Sequence, residues 1–376
     1  MEGSFKKLSY IRVTLSFLVF VFLGASSTFS LAEWRQAVGP WEWVFPRDHG
    51  SHPEFRTEWW YFTGNLKDDS GKRFGYQLTF FRQGILLEAK HPGNPWSIRD
   101  LYPAHFTLTD VSTGQFWFAE RISRKGPGLA GAAQGQMDVR LLNWFASMKD
   151  HAIRIEASHQ AMELSLELIP RKPIIFHGKN GLSKKGPSEG QASYYYSYTD
   201  PATRGFIRTP SSPSRIEVSG TSWYDHEFGS NQLASNQAGW DWFSLHLSDG
   251  QDLMIYFLRR KDGSAEPASS GTLVSPGGRS THLKLSDIAV EVLDYWRSPK
   301  SGGRYPSRWR INVPSAGIEV TVNPMVAAQE LVTEGSTGIV YWEGAVEGKG
   351  KSSEVEIRCE GYVEMTGYAG KIGGLF

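Results

Sequence analysis

Apolar and polar residues alternate along most of this chain. Phe74, Tyr76, Leu78 and Phe80 are separated by Gly75, Gln77 and Thr79. Met162, Leu164, Leu166 and Leu168 alternate with Glu163, Ser165 and Glu167, and Ile311, Val313, Ile318, Val320 and Val322 follow the same step. A period of two with one polar face predicts half-buried antiparallel strands. Asp249-Gly250, between Leu247 and Leu253, predicts a hairpin turn. No long segment keeps a 3.6-residue period, so the expected class is all-β, in barrels or sandwiches. Segments 179–190 and 298–306 read as long surface loops. The aromatic stretch 34–47 has no period and reads as an ordered lead-in.

A repeat lies under the alternation. Trp60 is followed by Leu66, the turn Asp69-Ser70-Gly71 and a strand ending Phe80-Phe81-Arg82. Trp242 is followed by Leu247, the turn Asp249-Gly250 and a strand ending Phe257-Leu258-Arg259. Ile216-Glu-Val218-Ser-Gly220 rhymes with Ile357-Arg-Cys359-Glu-Gly361. Two similar, nearly closed β units would each hide their sheet edges.

Composition adds a compartment. Lys6, Lys7 and Arg12 precede the apolar run 13–23, and small residues end at Ser30-Leu31-Ala32. This pattern predicts a cleaved signal peptide over 1–32 and a periplasmic or secreted protein. The run is too short to span a bilayer comfortably, which weighs against an anchor. Without the leader, Lys+Arg falls from 40 to 37 and Asp+Glu from 39 to 38, giving a net charge of −1. No basic field is present to attract nucleic acid. The single cysteine, Cys359, cannot form an internal disulfide, and its alternation with Val355 and Ile357 marks it as a small buried hydrophobe.

Candidate chemistry concentrates in Trp223-Tyr224-Asp225-His226-Glu227, followed by Trp240-Asp241-Trp242. A carboxyl in an apolar pocket stays protonated near neutrality and serves as an acid, and aromatic faces tolerate positive charge. His226 or Glu227 could orient or deprotonate a water. At the front, His52, Glu54 and Glu58 precede Trp59-Trp60. With His226 and Glu227 they could hold a metal, but their spacing presets no ligand face, so no metal is predicted. Glu58 is expected to pair with Arg56 at a barrel mouth, or to face Asp225 or His226 across the rim. No Gly-x-Ser-x-Gly elbow supports a serine hydrolase. Tyr194, Tyr196 and Tyr198 share one strand face, either lining an apolar cavity or filling a core. The Asp-His-Glu run also fits a hydrogen-bonded corner, and tryptophans at strand starts also fit a core.

His52-Pro-Glu-Phe-Arg-Thr-Glu-Trp-Trp-Tyr-Phe-Thr-Gly-Asn-Leu66, Ser222-Trp-Tyr-Asp-His-Glu-Phe-Gly-Ser230 and Gly239-Trp-Asp-Trp-Phe-Ser244 resemble the lipocalin-like family of carotenoid 1,2-hydratase and the AttH proteins. The likeness is greatest to its bacterial branch of secreted hydrolases and runs from about Trp41 to Tyr368. It implies two lipocalin-like β-barrel domains packed together, here 33–228 and 229–376, with an apolar ligand region in or between them. Family hydratases add water to an isolated double bond of an isoprenoid without a cofactor, and related fungal proteins guide pericyclic cyclisations. Their Asp falls on Asp225 and their Tyr on Tyr224. Two readings stay open. One is an enzyme on a lipophilic substrate, with Asp225 as acid, Tyr224, His226, Glu227 and Glu58 as helpers, and Trp60, Tyr196, Trp223, Trp240 and Trp242 as walls. The other is a periplasmic carrier of hydrophobic ligands working with ABC transporter components. The exported location favours the carrier, or a periplasmic enzyme other than a carotenoid hydratase.

Overall fold

Two antiparallel sheets make up the molecule. The first contains, in spatial order, the strands Gln115–Arg124, Asp100–Asp110, Arg73–Gly84, Thr57–Lys67, Ser212–Gly229, Pro201–Thr209 and Met162–Pro170, then four more back through Ala152–His159 to Ala130–Ala132. It curls into a nearly closed barrel. Arg121 of the edge strand Gln115–Arg124 reaches across to the returning strands, donating to the Ser158 carbonyl at 2.9 Å and lying 4.4 Å over the Trp144 ring. The second sheet is a half-barrel centred on Asp252–Arg260, Gln237–Leu247, Val355–Thr366 and Val340–Ser352. The computed structural model describes residues 33–370 apart from 89, 92, 232 and 233. The expected signal peptide lies outside the described residues. Only three short 3₁₀ turns interrupt the β structure among those residues.

The predicted strands form where the alternation placed them, and Asp249-Gly250 turns with Gly250 at φ +85°. The repeat is physical: in each sheet the opening strand pairs with the closing one, Leu66 opposite Gly220 and Leu245 opposite Gly361. Its phase differs from the sequence match of Trp60 with Trp242. Trp60 and Phe62 fill the first barrel, whereas Phe243, Leu245 and Leu247 fill the second. Trp59 and Tyr61 therefore share the outer face with Trp240 and Trp242. A slip of one residue exchanges the two faces of a strand.

These shifted aromatics matter because the barrels pack outer face to outer face. Tyr61, Tyr195, Trp223, Trp242, Met254, Tyr256 and Tyr362 form a shared apolar layer, with Trp59 and Trp240 beside it. The approach is close at Gly75. A Cβ there would lie 2.6 Å from the Tyr362 hydroxyl and 2.9 Å from Ala345 Cβ, so only glycine fits. Polar bonds cross the same seam, including His105 to Tyr341 at 2.7 Å and Lys172 to Asp252 at 2.7 Å.

The stretch 179–190 is not a surface loop throughout. Leu182–Lys184 forms a strand against Ala192–Tyr198, and Ser183 and Lys185 are buried. The lead-in 34–47 is ordered as expected: Trp41 lies 4.9 Å from Tyr194 and 5.4 Å from Phe228. Cys359 is buried in the second core, where desolvation pushes its thiol up to about 12.

Candidate functional site between the barrels

Three neighbouring strands present their odd-numbered residues to the seam. The register sets Tyr61 opposite Asp225, Trp59 opposite Glu227, and Ser197 and Tyr195 opposite Asp225 and Glu227. Even-numbered residues of the same strands point into the first barrel. The Tyr224-Asp225-His226-Glu227 run is thereby divided between two sites, because successive side chains of a strand point to opposite faces.

The outer site is a cavity of about 130 Å³. Asp225 is 3% exposed. Tyr195 Oη donates to its Oδ2 at 2.6 Å, while Trp223 Nε1, at 2.6 Å, and the Ser197 hydroxyl donate to Oδ1. Trp242 Nε1 donates to Tyr195 Oη at 3.1 Å, fixing that phenol from the second barrel. Burial dominates and lifts the Asp225 carboxyl to about 7; the three donors oppose the lift and nearby Glu227 adds to it. His177 extends the network, with Nε2 2.6 Å from Ser197 Oγ and Nδ1 2.9 Å from Thr272 Oγ1. Glu227 is bonded to Lys185 at 2.9 Å and to the Ser193 hydroxyl.

The second barrel contributes Glu343 and Glu364, which are cross-strand neighbours. Trp240 Nε1 donates to Glu364 at 2.9 Å. Burial lifts Glu364 to about 7, and burial together with the charge of Glu364 holds Glu343 well above the carboxylate range.

These raised acids make stability depend on pH. Asp225 and Glu364 ionise near 3.8 and 4.5 as ordinary side chains but near 7 in the fold, so the folded chain keeps protons that the unfolded chain releases. The associated stability is full below about pH 4 and is lost as pH rises through 7. At about 1.4 kcal/mol per pKa unit, Asp225 alone accounts for at most about 4 kcal/mol. The urea midpoint is expected to fall between pH 5.5 and 8.5, and Asp225→Asn should remove about half of that fall. A midpoint flat across this range would contradict the placement of both acids.

The inner site lies within the first barrel and is built around Glu58. Glu58 is 1% exposed and paired with Arg82, not Arg56, at 2.9 Å. Its Oε1 also meets His52 Nδ1 at 2.8 Å and His226 Nε2 at 3.0 Å. Arg82 continues to Asp100 at 3.0 Å, and His52 Nε2 to Asp48 at 3.2 Å. Although burial opposes it, Arg82 and the two histidines hold the Glu58 carboxyl well below its usual range. His226 is pushed down by burial; with Nε2 donating to Glu58, its Nδ1 accepts from Tyr196 or Tyr224, each 3.2 Å away. His52, Glu58 and His226 have ligand atoms close enough for a metal ion. Every one of those atoms is already hydrogen-bonded, and a guanidinium occupies the position beside the carboxylate. The donor set is that of a closed network and not of a metal cage.

Of the residues singled out from sequence, Asp225, Glu227, Trp240 and Trp242 line the cavity, and Trp223 holds Asp225 from its edge. Tyr224, His226, Glu58, Trp60 and Tyr196 lie in the first barrel instead. Trp60 donates to the His49 carbonyl at 3.1 Å, and Tyr196 Oη bonds His49 Nδ1 at 2.7 Å. Glu58 faces His226 but not Asp225, and Glu54 is remote from the network, 3.6 Å from Arg35. Tyr195, Trp59, Tyr61, Lys185, Glu343 and Glu364 were missed. Their signal was the opposite phase of the same alternation, which sequence periodicity alone does not assign.

Two β-barrels with an aromatic, acid-bearing seam define a lipocalin-like protein of the two-barrel class. The AttH-like family model matches residues 36–368, and the chain belongs to that family. The crystal structure of a Nitrosomonas europaea protein provisionally named AttH is similar, with 33% identity and a TM-score of 0.79, covering 89% of this chain and 99% of that one. Kievitone hydratase from Nectria haematococca shares the fold at 14% identity and a TM-score of 0.67, covering 87% of this chain and 93% of that one. No curated protein matches the sequence.

Proposed function

We propose that this protein is an exported enzyme that seats the end of a lipophilic ligand between its barrels and adds water to a double bond there. The observation that carries the reading is Asp225: a buried acid, protonated in part at neutral pH, held by three donors beside an aromatic-walled cavity. Its proton passes to the alkene carbon. A positive charge develops among Trp59, Trp240 and Trp242, and water attacks it. The proton lost by the water goes to a carboxylate of the cavity, where Glu364, which changes protonation near neutrality, is better placed than the remote His226; exchange with solvent on product release then unloads Glu364 and reprotonates Asp225. No cofactor enters this scheme. A protein of the same fold is a hydratase by name. The volume suits an end group, being a little under the ~150 Å³ of an apolar cavity that accepts benzene.

A non-enzymatic carrier serving an ABC export system is the second reading, and the basic-then-apolar start of the chain fits it as well as it fits an exported enzyme. Native mass spectrometry of protein recovered from the periplasm should show a retained lipophilic molecule. Trp242→Phe, which deletes the donor to Tyr195, is expected to weaken retention by about three- to tenfold. Retention unchanged by this substitution would remove the cavity as the binding site.

A further inference from the structure

The cavity carries more acid than one proton transfer requires. Asp225, Glu227, Glu343 and Glu364 all face it. Among the described residues, only Glu227 is matched by a basic group, the buried Lys185, whose ammonium also lies 4.2 Å over the Tyr256 ring. The contacts received by the other three come from uncharged groups: Tyr195, Ser197 and Trp223 on Asp225, Trp240 on Glu364, and Tyr61 on Glu343. Arg56 stands at the exposed rim.

Two buried polar groups of the cavity, Tyr61 and Glu343, are held only weakly, by each other. Glu343 is 1% exposed and Tyr61 7%, and the Tyr61 hydroxyl is turned to the Glu343 carboxyl in a contact too poorly aligned for a good hydrogen bond. Both residues line the cavity. A buried carboxyl with so little compensation marks a place where a positive ligand completes the structure. The walls around it are aromatic: Trp59, Tyr61, Phe81, Tyr195, Trp240 and Trp242.

We propose that this cavity is a receptor for a compact, methyl-bearing positive centre, and that Glu343 and Glu364 of the second barrel are the residues that read its charge. Aromatic faces recognise ammonium ions through their ring quadrupoles, and a cation among them favours the ionised form of Glu364, which changes protonation near neutrality, so that its carboxylate adds to the attraction. The inference rests on the cavity being the ligand site and not on the hydration chemistry. The positive centre has two sources, a permanent ammonium on the ligand or charge developing on an alkene carbon, and both need the same surroundings.

Choline, its uncharged carbon isostere 3,3-dimethylbutan-1-ol, and prenol are the probes, with binding measured by calorimetry on the whole protein. Choline is expected to bind roughly tenfold more tightly than the isostere, and Glu343→Gln with Glu364→Gln should cut that preference to about twofold or less. Gln occupies the same space as a protonated Glu, so the double variant retains the wall. Equal or tighter binding of the isostere by the native protein overturns the inference while leaving a hydrophobic ligand site in place. Absence of binding by all three probes removes both. A preference for choline unchanged in the double variant overturns the role of the two glutamates. An ammonium compound retained through purification identifies a permanent cation; preference for choline with none retained identifies charge that arises during reaction.

Discussion

Asp225→Asn is expected to abolish turnover and spare binding. The readout is incorporation of oxygen-18 from labelled water into an isoprenoid alkene with a terminal isopropylidene group. The rate should fall by about 10²–10⁴-fold, the usual contribution of a positioned acid, with affinity within about twofold. Asparagine resembles the protonated carboxyl: its oxygen still accepts from Trp223 and Ser197, and its amide faces the Tyr195 hydroxyl, which can accept. The variant should therefore fold and resist alkaline pH better than the native protein. A full rate in Asp225→Asn would leave the cavity as a binding site and favour the carrier.

Arg82→Met should have the largest effect on stability. Arg82 is 1% exposed and bonds Glu58, Asp100 and the carbonyls of His52 and Phe55. Removing it leaves two buried carboxylates without their cation and two carbonyls without a donor. Breaking a buried pair from one side costs about 3–5 kcal/mol. Urea denaturation at pH 7 should register that loss. Restoring neutrality by Arg82→Met with Glu58→Gln should recover part of it, since the mismatch is electrostatic. If Arg82→Met unfolds at the native urea concentration, the inner network is dispensable and the assignment of Glu58 as a structural group fails.

The two sites differ in how legible they were. Alternation of single residues, such as Leu164 with Ser165, marks strands directly, and the rhyme of Gly220 with Gly361 marks the closing strands of both barrels. Asp225 was legible because a carboxyl among Trp and Tyr is costly unless it is used. Phase was not. In Trp59-Trp60-Tyr61-Phe62 and Tyr194-Tyr195-Tyr196 both faces are aromatic, so nothing in composition says which one meets the other barrel. Trp60 and Tyr196 were assigned to the cavity, and their neighbours Trp59 and Tyr195 occupy it. Lys185 was hidden in a Gly-, Lys- and Ser-rich segment that looks like solvent-exposed loop. Glu343 and Glu364 sit on strands where a polar residue is the ordinary mark of a wetted face. Only the packing of one barrel against the other dries that face.

The lumen of the first barrel is already crowded with its own rings, imidazoles and the Arg82 guanidinium. Under the proposed function, substrate choice thus passes from a calyx to the gap between two bodies. The spacing of that gap is set at contacts such as Gly75 against Ala345 and Tyr362, residues that need never touch the ligand. Variation there would widen or narrow the gap while the proton-bearing groups stay on their strands. If the protein works as proposed, selectivity and reactivity are separable traits in this architecture.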